Sequence, residues 1–269
     1  MLWDELNVLE FSKAVKETGG VCVLPIGVLE KHGNHLPLGT DMITAASVCK
    51  AAAEKESAIV FPYYFMGQIS EARQYPGTVS LSHTMLMENL LAVCDEISRN
   101  GLKKILIMSG HGGNYHFLPF FAQEFPRHGR DYQVYTAYAS ALNYEQSNKI
   151  RELAGADDLG SHAGLSETSV LMHLRGDLVK KELSNPEDGA SKGRMAEVRQ
   201  KGLFTGFNWY AEYPNHFAGD HSLATAKLGE VIFDMLVENA ASAIKVVKND
   251  TESFDLMNEY FERSKTPGV

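Results

Sequence analysis

The feature that most constrains the fold is a repeated alternation between short apolar runs and amphipathic helix patterns. The apolar runs cover residues 19–27, 57–65, 103–110 and 131–140. Such short runs are typical of buried strands. Strands that alternate with helices predict an α/β layered domain with a mainly parallel sheet.

The helix patterns have apolar residues at helical spacing. They cover residues 40–56, 82–101 and 114–125 and a stretch that starts near Ser166. A long amphipathic helix is predicted over residues 220–247, with Asp220 as its N-cap. The charged tail, residues 249–269, is predicted to be partly helical. No linker or repeat interrupts the pattern, so residues 1–269 are predicted to form one domain.

Composition narrows the function classes. The 269 residues carry a net charge of -9 and no basic run, which disfavours nucleic-acid binding. The first residues are acidic and lack a signal-peptide pattern, and the longest stretch without a charged residue, 105–123, is a poor membrane span. Cys22, Cys49 and Cys94 are scattered, so we expect buried free thiols and a cytoplasmic location.

A polar cluster follows the first predicted strand, in "LEKHGNHLPLGTDM". Glu30, His32, His35 and Asp41 can all bind a metal ion. Glu30 and His32 are two residues apart, so their side chains face the same way in an extended segment. The cluster is either an oxygen and nitrogen metal site or a polar loop with Asp41 near a helix start.

A second cluster, residues 108–116, follows the third predicted strand. His111 lies among three glycines, which allow the backbone to approach a ligand closely. His111 is therefore either a ligand-binding residue or a structural histidine. A phosphate-binding loop is a further alternative, although no lysine follows as in a P-loop. His116 is predicted to be a helix-surface or packing residue.

A third cluster, residues 160–169, opens a later helix. Ser161 or Ser166 could cap that helix, and Glu167 could be a first-turn acid that favours the helix dipole. Alternatively, Glu167 is a metal ligand or a general base, with His162 beside it.

All three clusters are predicted to lie at the carboxyl ends of the strands, where ligands bind in such sheets. Their acids and histidines are the inventory of a one- or two-metal hydrolase. The absence of cysteine favours Zn²⁺, Mn²⁺ or Fe²⁺. Such an ion would activate a water molecule and polarise a carbonyl group, and Asp41 is our choice for a carboxylate that bridges two ions.

The sequence resembles the creatininase family, which includes creatinine amidohydrolase. The resemblance rests on "LPIGVLEKHGNHLPLGTD", "YPGTVSL", "SGHGGN" and "SHAGLSETS", which occur in family order between residues 24 and 169. It implies a three-layer α/β/α fold, a centre with two divalent metal ions and a homo-oligomer, often a hexamer. It also implies hydrolysis of a non-peptide C–N bond, in a cyclic amide or a formamide.

By the same resemblance, Glu30, Asp41 and His111 hold one metal ion. His32 and the bridging Asp41 hold the second. His35 is then expected to be structural or to support a ligand.

The chain departs from the family at Gly113, where creatininase has a glutamate that binds the second ion. Glu167 is the best candidate to replace that ligand. His162 matches a catalytic histidine of the family and is expected to transfer a proton to the leaving group.

The departure leaves the substrate open. Glu71, Arg73 and Gln74, in the run before "PGT", suit a substrate with hydroxyl or carbonyl groups, or belong to a solvated loop. The aromatic segment 205–220, with His216, is either a lid or inter-subunit loop over the site, or a structured connection.

The sequence therefore predicts a metal-dependent hydrolase that uses a metal-activated water on a carbonyl of a small polar cyclic substrate. One alternative is ring opening at a C–C bond of an oxidised inositol. Others are a binding protein with a degenerate site, because Gly113 lacks a ligand, and a nucleotide-binding protein that uses "SGHGGN". We expect no membrane or nucleic-acid partner.

Overall fold

The computed structural model describes residues 1–268, and this part of the chain forms four strands and ten α-helices. The strands are β1 Val21–Ile26, β2 Ile59–Val60, β3 Lys104–Ser109 and β4 Gln133–Tyr138. The helices are α1 Val8–Glu17, α2 Thr40–Lys55, α3 His83–Arg99, α4 Asn114–Ala122, α5 Tyr144–Ala154, α6 Leu165–Arg175, α7 Ala196–Gln200, α8 Asn208–Glu212, α9 Ala226–Asn249 and α10 Glu252–Ser264.

The strands form one parallel sheet in the order β2-β1-β3-β4. Every residue of β1 is buried, as expected for a strand covered on both faces. The register pairs Ile26 with Ser109 and Ser109 with Tyr138, so the last residues of β1, β3 and β4 lie side by side. The loops that follow β1 and β3 therefore leave the same edge of the sheet.

Helices cover both faces of the sheet. On one face α2, α6 and α9 enclose a core that includes Val23, Val48 and Ile232. On the other face, a second core around Leu24 and Leu90 joins the sheet to α3 and α4. This arrangement confirms the predicted three-layer α/β/α fold with a mainly parallel sheet.

The long helix α9 begins later than the sequence predicts. Its N-cap is Thr225, whose side chain accepts a hydrogen bond from the backbone N–H of Leu228, so the prediction of Asp220 as the cap is wrong. Close packing then fixes α9 against α6. A Cβ on Gly229 would lie 1.8 Å from the carbonyl oxygen of Ser169, so the two backbones approach where only glycine fits.

The C-terminal tail forms α10 beside the edge strand β4, which confirms the predicted partial helix. Tyr135 Oη donates to Asp250 at 2.7 Å, and Gln133 Nε2 donates to the carbonyl oxygen of Ser253 at 2.6 Å. The three cysteines are buried and free. Within residues 1–268, no helix is long and apolar enough to cross a membrane.

Candidate metal centre

The loops after β1 and β3 bring three ligand-type side chains together. Glu30 lies in the loop after β1, Asp41 in the first turn of α2, and His111 directly after β3. His111 Nδ1 is 2.7 Å from Glu30 Oε1 and 3.1 Å from Asp41 Oδ2. All three residues are buried. Two predicted clusters therefore meet at the carboxyl edge of the sheet.

A second group shares Asp41 with the first. His32 Nε2 is 3.0 Å from Asp41 Oδ1, and Glu167 on α6 completes the group. In each triad, the potential ligand atoms lie within 4.8 Å of one another. The two oxygens of Asp41 thus face different histidines, His32 and His111, in the way that a bridging carboxylate would.

Backbone carbonyl groups fix the orientation of both histidines. His32 Nδ1 is 3.3 Å from the carbonyl oxygen of Glu30, and His111 Nε2 is 2.8 Å from that of Gln68. A carbonyl oxygen only accepts, so these ring nitrogens are the protonated ones. The other nitrogen of each ring faces Asp41, where either a proton or a metal cation can bind it.

The hydrogen bonding of the Glu30 and Asp41 carboxylates indicates whether a cation fits between them. Glu30 Oε1 and Asp41 Oδ2 are buried and accept no hydrogen bond with acceptable geometry, although His111 Nδ1 lies near both. A buried carboxylate oxygen without a partner is strongly unfavourable. A divalent cation among these oxygens and imidazole nitrogens would satisfy them, and the donor set suits Zn²⁺ or Mn²⁺.

The protein's own charges are strongly coupled in this cluster. Burial opposes ionisation of Glu30, but His111 and His162 hold its pKa well below the usual range. Burial likewise opposes protonation of His32, but Asp41 and Glu30 raise its pKa to about 10. The pKa of His111 is also raised, because the attraction of Glu30 and Asp41 exceeds the effect of burial. The carboxylates thus attract positive charge, for which protons and metal ions compete.

His162 lies against this cluster. Its ring centre is 4.2 Å from that of His32, and its Nε2 is 3.9 Å from Glu30 Oε2. Nε2 donates to the carbonyl oxygen of Lys31 at 2.9 Å, which leaves Nδ1 as the proton acceptor. Burial and the positive charge of His32 keep the pKa of His162 well below its usual value. It is therefore a neutral imidazole, and with Glu30 and His32 it forms a third group that could hold a metal ion.

Glu167 is held by a strained turn. The backbone N–H of Ala163 donates to Glu167 Oε2 at 2.5 Å, and Ala163 has a φ of 55°. Burial raises the pKa of Glu167 to about 7, which suits either a ligand or a general base. The N-cap of α6 is Gly164 without a side-chain cap, so the capping roles considered for Ser161 and Ser166 are wrong.

The surroundings of Gly113 explain why no glutamate occupies this position. A Cβ on Gly113 would lie 2.3 Å from His111 Nε2, 2.8 Å from Glu71 Oε1 and 2.9 Å from Gln68 Oε1. Gln68 Nε2 donates to Glu71 Oε2 at 2.8 Å, so this pair occupies the space beside the glycine. Glu71 therefore lies near His111, whereas the other two residues considered for substrate binding, Arg73 and Gln74, are exposed.

His35 is in none of the candidate ligand groups. It is buried, and its Nε2 is 3.1 Å from the carbonyl oxygen of Ala163 and 3.0 Å from Thr168 Oγ1. Burial lowers its pKa to about 3, so it stays neutral. These contacts join the first loop to the turn that holds Glu167. His116 is exposed on α4, as predicted.

Sequence reasoning missed the contact between His216 and Glu30. His216 Nε2 forms a short hydrogen bond to Glu30 Oε2, and Trp209 Nε1 donates to His216 Nδ1 at 2.9 Å. Because Nδ1 accepts from the indole, Nε2 carries the proton and donates to the carboxylate. The segment 205–220 thus supports a candidate ligand, and its aromatic composition was the only signal of this role.

A cavity of about 330 Å³ adjoins the cluster, and its walls include Asp41, Gly112 and Glu167. Glu71, Arg73 and Gln74 are not among its lining residues. A larger groove of about 810 Å³ lies between α10 and β4 and contains none of the candidate ligands. The smaller cavity therefore gives access to the cluster through Asp41 and Glu167.

Comparison with known proteins gives concordant results. A sequence model of the creatininase family, described as creatinine amidohydrolase, matches residues 4–244. A mycofactocin precursor peptide peptidase of Mycolicibacterium smegmatis is 31% identical over 229 residues, 83% of this chain and 83% of that protein. Creatinine amidohydrolase of Pseudomonas putida is 27% identical over 258 residues, 90% of this chain and 95% of that protein.

Comparison with solved structures also finds creatininase. A solved mutant creatininase described as a Zn–Zn type superimposes with a TM-score of 0.75 and 24% identity, and the match covers 93% of this chain and 98% of that one. At this identity, the likeness shows the fold.

Proposed function

Because the chain belongs to the creatininase family, whose members are hydrolases, we propose that it is a metal-dependent hydrolase of C–N bonds. Its substrate is a small polar cyclic amide or a formamide. The observation that carries the proposal is the position of Asp41, with one oxygen 3.0 Å from His32 Nε2 and the other 3.1 Å from His111 Nδ1.

The two triads around Asp41 support a centre with two metal ions. In this proposal, Glu30, Asp41 and His111 would hold one ion, and His32, Asp41 and Glu167 would hold the other. When bound, the ions supply an activated water molecule and polarise the substrate carbonyl group. Glu167 takes the place of the ligand that creatininase itself has at the position of Gly113, beside which Gln68 and Glu71 lie here.

His162 acts as the proton carrier. Its Nε2–H is committed to the carbonyl oxygen of Lys31, so Nδ1 accepts a proton and passes it to the leaving nitrogen. The low pKa of the ring keeps it neutral, so a proton that it accepts is readily passed on. His216 and Trp209 act indirectly, because they hold Glu30 in position to bind the first ion.

The test is metal analysis of Asp41→Asn, which keeps the shape of the side chain and removes its charge. The wild type, reconstituted with Zn²⁺ or Mn²⁺, should hold two ions per chain, and Asp41→Asn should lose both together with hydrolysis. Asp4→Asn, in an exposed residue near the N-terminus, is the matched control. An Asp41→Asn protein with full metal content would refute the bridging role.

The substrate is tested with a panel of cyclic amides, formamides and cyclic polyol ketones, offered to the reconstituted wild type. Hydrolysis of amides or formamides supports the proposal. Turnover of the ketones alone would replace it by C–C ring opening. A wild type that binds no metal after reconstitution would instead indicate a binding protein.

A further inference from the structure

We propose that Arg151 binds a carboxylate group of the substrate in the cavity beside the candidate metal centre. The substrate is then an anionic amide, with its carboxylate at some distance from the bond that is cleaved. This inference rests on the proposed function for the reaction, but its binding step can be tested independently.

The cavity connects Arg151 with the candidate ligands. One part of its wall is formed by Asp41 and Glu167, and Arg151, in the last turns of α5, forms another. Hydroxyl groups and apolar side chains line the space between them, among them Ser140, Ser147, Ser166, Leu142, Val170 and Ile232. A ligand in this cavity can thus contact the metal centre and Arg151 together.

Arg151 has no anionic partner within residues 1–268. No carboxylate oxygen of the described residues lies within 4.0 Å of it, and its Nε is buried without a hydrogen-bond acceptor among them. Nη1 donates to Asn148 Oδ1 at 2.7 Å, which holds the guanidinium in place. An arginine stays charged at every relevant pH, so a buried N–H without an acceptor is unfavourable until an anion arrives.

Arg130 shows what a structural arginine looks like in the same chain. Its Nε and Nη2 donate to the two oxygens of Asp95 at 2.7 Å and 3.0 Å. Arg151 has the same fork of donors with no such pair. Ser166 Oγ, which lines the same cavity, is a second buried polar atom without a partner. Both atoms are therefore available to a ligand.

Charge and size favour a carboxylate over a phosphate. Arg151 is the only basic residue among those that line the cavity, and Asp41, Asp158 and Glu167 are acidic. One guanidinium matches one carboxylate in a bidentate pair, whereas a dianionic phosphate would meet excess negative charge. A volume of about 330 Å³ holds about ten water molecules, which fits a small ring with one acidic substituent.

The experiment compares ligands that differ by one carboxylate: 2-pyrrolidone with 5-oxoproline, hydantoin with hydantoin-5-acetic acid, and a short peptide amide with the free peptide acid. Binding to the metal-loaded protein is measured by calorimetry, and hydrolysis is measured separately. The third pair distinguishes a peptide C-terminus from a small acid as the source of the carboxylate.

In at least one pair, the acid should bind the wild type at least tenfold more tightly than its neutral partner, because a charge-assisted pair replaces an unpaired guanidinium. Arg151→Gln should abolish this preference and leave the affinity of the neutral partner and the metal content unchanged. Arg127→Gln, which removes an exposed charge outside the cavity, should keep the preference.

Three results would overturn the inference. The first is the absence of a preference in the wild type, and the second is that no acid binds at millimolar concentration. The third is a preference that survives in Arg151→Gln, which would place the carboxylate on the metal ions; a loss of stability in that variant would then assign Arg151 a structural role. Preferential binding of an acid without hydrolysis would instead refute the proposed reaction and leave the binding role standing.

Discussion

Gly113→Ala is the change whose effect follows most directly from the structure. The added Cβ would lie 2.3 Å from His111 Nε2 and 2.8 Å from Glu71 Oε1. Glu71 is flexible and can move, but the imidazole of His111 is fixed by the carbonyl oxygen of Gln68 at 2.8 Å and by Glu30. The ring must therefore shift, and with it the nitrogen that faces Asp41.

The size of the effect follows from two opposing contributions. Overpacking a fixed site costs roughly 1–3 kcal/mol. Gly113 has a φ of -63° and a ψ of -17°, which alanine also adopts, so reduced chain entropy returns about 0.4–1 kcal/mol. The net loss of about 1–2 kcal/mol lowers Tm by about 2–4 °C, because the unfolding entropy is about 2.1 cal/mol/K per residue.

Thermal unfolding and metal analysis of Gly113→Ala check this reasoning, with Gly112→Ala as the matched control. A Cβ on Gly112 meets no heavy atom within 4 Å, so this variant should be neutral or slightly stabilised and should keep its metal. Gly113→Ala should have a lower Tm and bind less metal. Equal Tm and equal metal content in the two variants would refute the requirement for glycine beside His111.

Three further predictions concern other contacts. His35→Leu removes the contacts of His35 Nε2 with the carbonyl oxygen of Ala163 and with Thr168 Oγ1, which keep only their hydrogen bond to each other. Tm should therefore fall by the equivalent of about 1 kcal/mol while metal content stays constant, and loss of metal would make this histidine a ligand. Trp209→Phe removes the hydrogen-bond donor to His216 and should weaken metal binding about tenfold in a chelator competition. An unchanged metal affinity would contradict the role of Trp209 and His216 in holding Glu30 in place. The hydrogen bond from Arg130 lowers the pKa of Asp95 in the folded protein. The Tm difference between wild type and Asp95→Asn should therefore be largest above about pH 4 and disappear as pH falls through the lowered pKa. A Tm difference that does not depend on pH would exclude this charge effect.

Much of the fold was predictable because it depends on local patterns. Short apolar runs and helical spacing predict alternating strands and helices, and the rule that such strands lie parallel places the loops after β1 and β3 at one edge. The segments with Glu30, Asp41 and His111 could therefore be placed near one another before any coordinate was known. The family motifs added the expectation that Asp41 lies between two ions.

The sequence misplaced details that depend on competing local contacts. Asp220 and Thr225 are both good N-caps, and Thr225 is the cap in the structure, where α9 packs against α6. Likewise, Ser161 and Ser166 have the right chemistry to cap α6, but the turn at Ala163 places Gly164 at that position.

By itself, the sequence determined the α/β fold and the family and named candidate metal ligands, because these depend on periodicity and on residue types at fixed spacing. Only the tertiary structure decided which distant groups meet them. His216 reaches Glu30 across 186 positions of sequence, and Gln68 and Glu71 fill the space beside Gly113. For the same reason, Arg151 lies beside the candidate metal centre without an anionic partner among residues 1–268. Such contacts depend on how whole layers pack, and no local pattern encodes them.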